Sequence, residues 1–122
     1  NIYLTDSFVP APLVNSLADI VISHGGQGTI QTAIASGTPV VGFAMQPEQQ
    51  INLDNIVIRG AGIRIPINRW NSHNIQSSVN RIIRKPSYRE NMRTLKNILN
   101  SINGRKNSAF AIWDYMLKKL PK

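Results

Sequence analysis

Cysteine is absent from the 122 residues. That excludes a disulfide framework and any thiolate metal site, and nothing marks an oxidising compartment. Long apolar runs are absent as well. None approaches the roughly 20 residues needed to span a bilayer, and residues 1–10 lack the basic region and apolar stretch of a signal peptide. The expected setting is cytoplasmic, with any membrane association supplied by parts outside this chain. Positive charge is missing from the first half: all 14 Lys and Arg lie at or after Arg59, and residues 1–58 carry only Asp6, Asp19, Glu48 and Asp54. The first half is therefore −4 and the second +12, within a net charge of +8. An anion bound in the first half must be held mainly by backbone N–H groups and His24. The basic second half could suit nucleic acid or anionic lipid. Its cations, however, are spread along helical segments, none falls in the glycine loop, and aromatics make up only 7%. Solvated helix faces and no nucleic-acid partner are expected.

What is present is a pattern. At 42% hydrophobic content the chain suits one domain, 1–122, with an α/β sheet core over 1–67 and a helical tail over 68–122. It opens on Asn1 and passes almost directly into a strand-like segment, so part of the natural protein is expected to precede it. Asp19-Ile20-Val21-Ile22-Ser23 reads as a buried strand. Ile30, Ala33 and Ile34 suit one face of a helix over 28–36, which Gly37 stops. Val40-Val41-Gly42-Phe43 is the next strand. Pro47 sits at a first helical position, Ile51, Ile56 and Val57 carry the helix up to Gly60, and 63–67 is a third strand. Connections this short predict a parallel, Rossmann-like sheet with flanking helices. The tail predicts helices over 73–84, 87–103 and 106–120, separated by Pro86 and Gly104. Their core-facing stripes are Ile75, Val79, Ile82 and Ile83; then Tyr88, Met92, Leu95, Leu99 and Ile102; then Phe110, Trp113, Leu117 and Leu120.

In such a sheet ligands bind beyond the carboxyl ends of the strands, where Ser23-His24-Gly25-Gly26-Gln27-Gly28-Thr29 lies. Gly25, Gly26 and Gly28 permit close backbone approach and conformations closed to other residues. The following helix aims its free N–H groups and positive dipole end at the same place. Thr29 and His24 can add donors to a phosphate oxygen. From spacing alone, a tight turn with a structural histidine fits equally well. The G-x-G-x-x-G dinucleotide pattern lacks its acidic partner, and there is no Gly-Lys-Ser/Thr.

The wider context is more specific. The loop, followed by Ala35-Ser36-Gly37-Thr38-Pro39-Val40-Val41 and then by Pro47-Glu48-Gln49 and Asn52, resembles the donor-binding signature of the UDP-glycosyltransferase superfamily, in particular its bacterial branch acting on macrolides and other small lipophiles. The resemblance begins near Phe8-Val9-Pro10 and fades through Gly60-Ala61-Gly62. It implies the C-terminal half of a two-domain GT-B fold, without that half's opening units. It also implies an inverting transfer from a nucleoside diphosphate sugar, UDP being the expected nucleotide, to an acceptor hydroxyl, with no metal or other cofactor.

Residue by residue, the resemblance makes His24, Gly25, Gly26, Gly28 and Thr29 the diphosphate cradle and Glu48 and Gln49 the ligands of the donor sugar. Phe8 falls where a tryptophan often stacks on the base, though it equally fits a core position. Thr32 stands where a glutamate usually holds the ribose, and Ala11 where glutamine is frequent. Glu48 would also be favoured at a helix start without any sugar, and Asn52 reads as a surface or packing residue. The general base belongs to the missing N-terminal acceptor domain, since neither His24 nor His73 fits that role. That domain should face the loop side of the sheet, with the helix through Trp113 near the junction. A separate donor-binding subunit, as in the split, membrane-associated N-acetylglucosaminyltransferase, is the alternative arrangement.

Overall fold

In the computed structural model, which describes residues 2–119, the elements follow the order α1 Ala11–Leu17, β1 Val21–Ser23, α2 Gln27–Ser36, β2 Val40–Gly42, α3 Pro47–Ile58, β3 Gly62–Arg64, α4 Ser72–Arg84, α5 Ser87–Ser101 and α6 Gly104–Lys119. A three-residue 3-10 turn, Ile67–Arg69, precedes α4. The strands form one parallel sheet in the order β1-β2-β3, with Val40 opposite Val21 on one side and Gly62 on the other.

Three of the helices begin or end where their sequence dictates. Gly37 closes α2 at φ 76°, a left-handed value that a residue without Cβ reaches freely, and its N–H returns to the carbonyls of Ala33 and Ile34. Pro47 opens α3, where its missing N–H removes no helical bond. Asn71 caps α4 by accepting from the Asn74 N–H at 2.9 Å.

The central strand alternates between two cores. Val40 joins Ile30 and Ala33 of α2, Leu53 and Ile56 of α3, and Met92 of α5. Val41, on the opposite face, joins Ile65, Ile82 of α4 and Tyr88 of α5. Helices therefore cover both faces, which is why β2 is apolar without alternation. Near its start α5 crosses the amino edge of the sheet. Arg89 meets Asp19 ahead of β1 at 3.1 Å, and the Asn91 side chain donates to the Gly60 carbonyl ahead of β3 at 3.1 Å. Gly37, ahead of β2, faces Arg93 and Lys96. The chain thus closes the amino edge and leaves the carboxyl edge, where α2 and α3 begin, to solvent.

Five expectations are corrected. The first strand is shorter than expected and not buried: β1 spans Val21–Ser23 at the edge of the sheet, and Ile22 is 54% exposed. The strand-like opening forms no strand; residues 2–10 are irregular and exposed, because the sheet ends at β1 and offers no described partner strand beyond it. The third strand stops at Arg64, since Pro66 cannot donate to a ladder and Ile67 turns out to solvent in the 3-10 turn. Gly104 starts α6 instead of separating helices. The stripe Phe110, Trp113 and Leu117 is not core: these residues are 61%, 62% and 53% exposed, and no described residue of α6 is buried. Ile112, Tyr115 and Met116 occupy the other sides of α6, so its apolar surface has no single direction. Leu120 lies outside the described residues. Ile83, and Leu99 and Ile102 at the end of their stripe, are exposed as well.

These placements predict a contrast in stability. Leu53→Ala should cost about 2–5 kcal/mol, the range for emptying a buried leucine site, while Trp113→Ala should stay within about 0.5 kcal/mol, as for an exposed position. Urea unfolding of the two variants decides it; equal losses would mean that α6 belongs to the core.

Candidate functional site

The first turn at the carboxyl edge runs from Ser23 through His24, Gly25 and Gly26 into α2. Ser23 Oγ accepts from the Gly25 N–H at 3.2 Å. Gly25 has φ 87° and is buried against α3: a Cβ there would lie 2.5 Å from Leu53 Cγ and 3.0 Å from the Gln49 carbonyl. No other residue type could keep this turn so close to the neighbouring helix. Gly26 is ordinary in its backbone, at φ −59° and ψ 146°. The space for a side chain there is taken by His24, whose Nε2 would be 2.8 Å from a Cβ. Gly28 has nothing within 4 Å of its Cβ position. Of the three loop glycines, only Gly25 therefore needs a conformation closed to other residues.

Gly26 is also the N-cap of α2 and has no side chain with which to cap it. The N–H groups of the first turn, at Gln27, Gly28 and Thr29, consequently face outward without a side-chain acceptor, at the positive end of a ten-residue helix. His24 is exposed beside them and Thr29 is half-buried. The five residues assigned to the cradle thus lie in one turn and the start of one helix. Thr32 sits one helical turn further on, its hydroxyl donating to the Gly28 carbonyl at 2.8 Å.

The second turn, after β2, brings Glu48 and Gln49 to the same edge at the start of α3. Gln49 is buried, and its Oε1 accepts from the Met45 N–H at 2.9 Å, which fixes the turn. Glu48 is exposed, and its Oε1 accepts from Asn52 Nδ2 at 2.7 Å. The same nitrogen donates to the Gly25 carbonyl at 3.1 Å. Asn52, expected to serve only surface or packing, therefore links the two turns. Its spacing signals only the bond to Glu48, since positions four apart share a helix face. Beyond His24 the edge opens into a cavity of about 480 Å³ lined by Phe43, Met45, Trp70 and Ile75. There Phe43 and Trp70 pack edge to face with centroids 5.5 Å apart, and Trp70 Nε1 donates to the Ile65 carbonyl at 2.8 Å.

Phe8 stands apart. It is 93% exposed in the irregular opening segment, so the core position considered for it is ruled out. Among the described residues no three His, Asp or Glu side chains gather as a metal site, and no helix is long and apolar enough to cross a membrane.

Residues 1–102 match the model of the erythromycin biosynthesis protein CIII-like C-terminal domain. UDP-glucuronosyltransferase 2B7 of Homo sapiens is 36% identical over 77 residues, which are 63% of this chain and 15% of that protein. The crystal structure of the kitacinnamycin glycotransferase superposes with a TM-score of 0.78 at 28% identity, covering 93% of this chain and 29% of that one. Spinosyn rhamnosyltransferase SpnG complexed with thymidine diphosphate shares the fold, with a TM-score of 0.73 at 22% identity, covering 76% of this chain and 26% of that one. This chain therefore spans less than a third of each of these relatives. With a family match running from the irregular opening through α5, a parallel sheet of the GT-B type and the glycine turn at its carboxyl edge, the chain belongs to the erythromycin biosynthesis protein CIII-like C-terminal domain family of the UDP-glycosyltransferase superfamily.

Proposed function

We propose that this chain binds the nucleoside diphosphate sugar donor, with UDP as the expected nucleotide, and serves as the donor half of an inverting glycosyltransferase acting on a hydroxyl acceptor. The observation that carries the reading is the uncapped N-terminus of α2 behind Gly25 and Gly26. An anion held there meets several backbone N–H donors and His24 at once, in a half of the chain that has no Lys or Arg. The spinosyn rhamnosyltransferase was solved in complex with thymidine diphosphate, and the human relative is named for a UDP-linked donor. Both point to a nucleoside diphosphate.

In the proposed reaction the acceptor oxygen attacks the anomeric carbon as the bond from that carbon to the diphosphate oxygen breaks. The nucleoside diphosphate leaves with the bonding electrons, and the acceptor proton passes to a base in the part of the protein beyond this chain. Negative charge grows on the leaving oxygen in the transition state, where N–H groups already aimed at it help most. His24 and the first turn of α2 supply that stabilisation in this reading, without a metal ion. Glu48 and Gln49, at the start of α3, take the sugar hydroxyls. Thr32 and Phe8 remain the candidates for ribose and base.

Four measurements check this. The 122-residue chain should bind UDP weakly and transfer no sugar to an added alcohol, because it holds a cradle and no base; measured transfer by this chain alone would reject the division of labour. His24→Ala should lower UDP affinity roughly tenfold to a hundredfold, one hydrogen bond to a charged oxygen being worth about 1.5–3 kcal/mol. Glu48→Ala should spare UDP and weaken UDP-glucose. Gly28→Asp should separate binding from folding, since the new side chain enters open space. A carboxylate in the first turn favours the helix by about 0.3–1 kcal/mol, so the melting temperature should hold or rise while diphosphate binding disappears. Calorimetric titration of Gly28→Asp with unchanged affinity would place the anion elsewhere.

A further inference from the structure

The Gly25 carbonyl is the loop group whose direction decides what the cradle offers an anion. In a planar trans peptide the carbonyl of one residue and the N–H of the next point in opposite directions. Asn52 Nδ2 draws the Gly25 oxygen toward α3 at 3.1 Å, so the Gly26 N–H points away from α3. That N–H makes no hydrogen bond among the described residues. Ser23 Oγ secures the preceding peptide through the Gly25 N–H, and Leu53 beneath Gly25 prevents it from sinking toward α3. Neither of them fixes the Gly25–Gly26 plane. Because it joins two residues without Cβ, that plane turns over more easily than others. Turned over, it would present a carbonyl oxygen to an incoming phosphate.

We propose that Asn52 is the positioning residue of the donor site, holding the Gly25–Gly26 peptide with its N–H outward and, with its other hydrogen, holding Glu48 in register with that peptide. The amide nitrogen has two hydrogens, and the two contacts, 3.1 Å to Gly25 and 2.7 Å to Glu48, account for both. The diphosphate cradle and the sugar-binding carboxylate thereby share one anchor. This assignment rests on the donor-site reading above.

The test uses the ¹⁵N-labelled chain with Asn52→Leu, which keeps the branched shape with a larger, apolar end, and Asn52→Asp, which keeps the shape but cannot donate when charged. Both variants should lose roughly tenfold or more in UDP affinity, the effect of about one hydrogen bond to a charged group. UDP-glucose should lose more than UDP, because Glu48 is released as well. The Gly26 amide resonance, which should move when UDP is added to the unmodified chain, should stay still in the variants while the rest of the spectrum remains dispersed. Variants that bind UDP as tightly as an unmodified chain that itself binds it would overturn the role of Asn52 alone. An unmodified chain that binds neither UDP nor UDP-glucose would overturn the donor-site reading, and this proposal with it. Loss of dispersion in both variants would assign Asn52 to the fold and likewise overturn the proposal.

Discussion

Leu53 lies beneath both turns of the carboxyl edge. It is 1% exposed, and its side chain fills the space that a Cβ at Gly25 or at Gly42 would occupy. Gly25 belongs to the turn after β1, and Gly42 ends β2 immediately before the turn that leads to α3. One leucine on α3 can therefore touch both only because two glycines give way. This contact sets how near the start of α2 comes to α3, and with it whether Asn52 can reach the Gly25 carbonyl. A side chain at Gly25 would be strained at φ 87° and would also push the turn off the helix.

The distribution of charge follows the same division. Two of the four acidic residues in the first half are paired with cations from beyond residue 58: Asp19 with Arg89 at 3.1 Å and Asp54 with Arg64 at 2.6 Å. Such partly exposed pairs contribute about 0–1 kcal/mol each, so their effect on stability is small. Their positions are more informative. Arg89 sits at the amino edge with α5, and Arg64 is turned onto the flank of α3, so neither is committed to the glycine turn. In the proposed reading, an anion at that turn would meet fixed backbone dipoles, which need no rearrangement when charge develops. A flexible lysine would have to be ordered first.

Much of this was legible in the sequence, where local chemistry decided the outcome. Gly37 and Pro47 mark helix boundaries through backbone restrictions that act within a single residue, and the adjacent valines of β2 signal a strand buried on both faces. The turn between β1 and α2 was readable as a tight glycine turn at the carboxyl edge from its glycines and its place in the series. Which glycine carries the unusual backbone was not, because φ at Gly25 depends on Leu53, 28 positions along the chain. The role of Asn52 was hidden for a similar reason. Its link to Glu48 is local, but its bond to Gly25 spans 27 positions and exists only once α3 packs against the turn. Phe8, singled out through resemblance, sits in a segment that has no described strand to lie against.

The last helix shows where periodicity ceases to inform. Phe110, Trp113 and Leu117 recur at helical spacing, and taken alone they make a stripe. Ala111, Ile112, Tyr115 and Met116 occupy the intervening positions, and those between Phe110 and Leu117 that are large are also more than half exposed. A stripe predicts a buried face only when the opposite face is polar, since it is the contrast that fixes which side turns inward. α4 has that contrast: Ile82 is buried, while Arg81 and Arg84 face solvent. α6 has only Asp114 between Phe110 and Leu117 to interrupt its apolar surface, and so no preferred side with which to pack on the sandwich. The family match ends at residue 102, just before α6 begins, and the last buried residue among those described is Met92 of α5. The packed body that presents the glycine turn is therefore complete without α6, and the geometry of the turn is set by β1, β2, α2 and α3 alone.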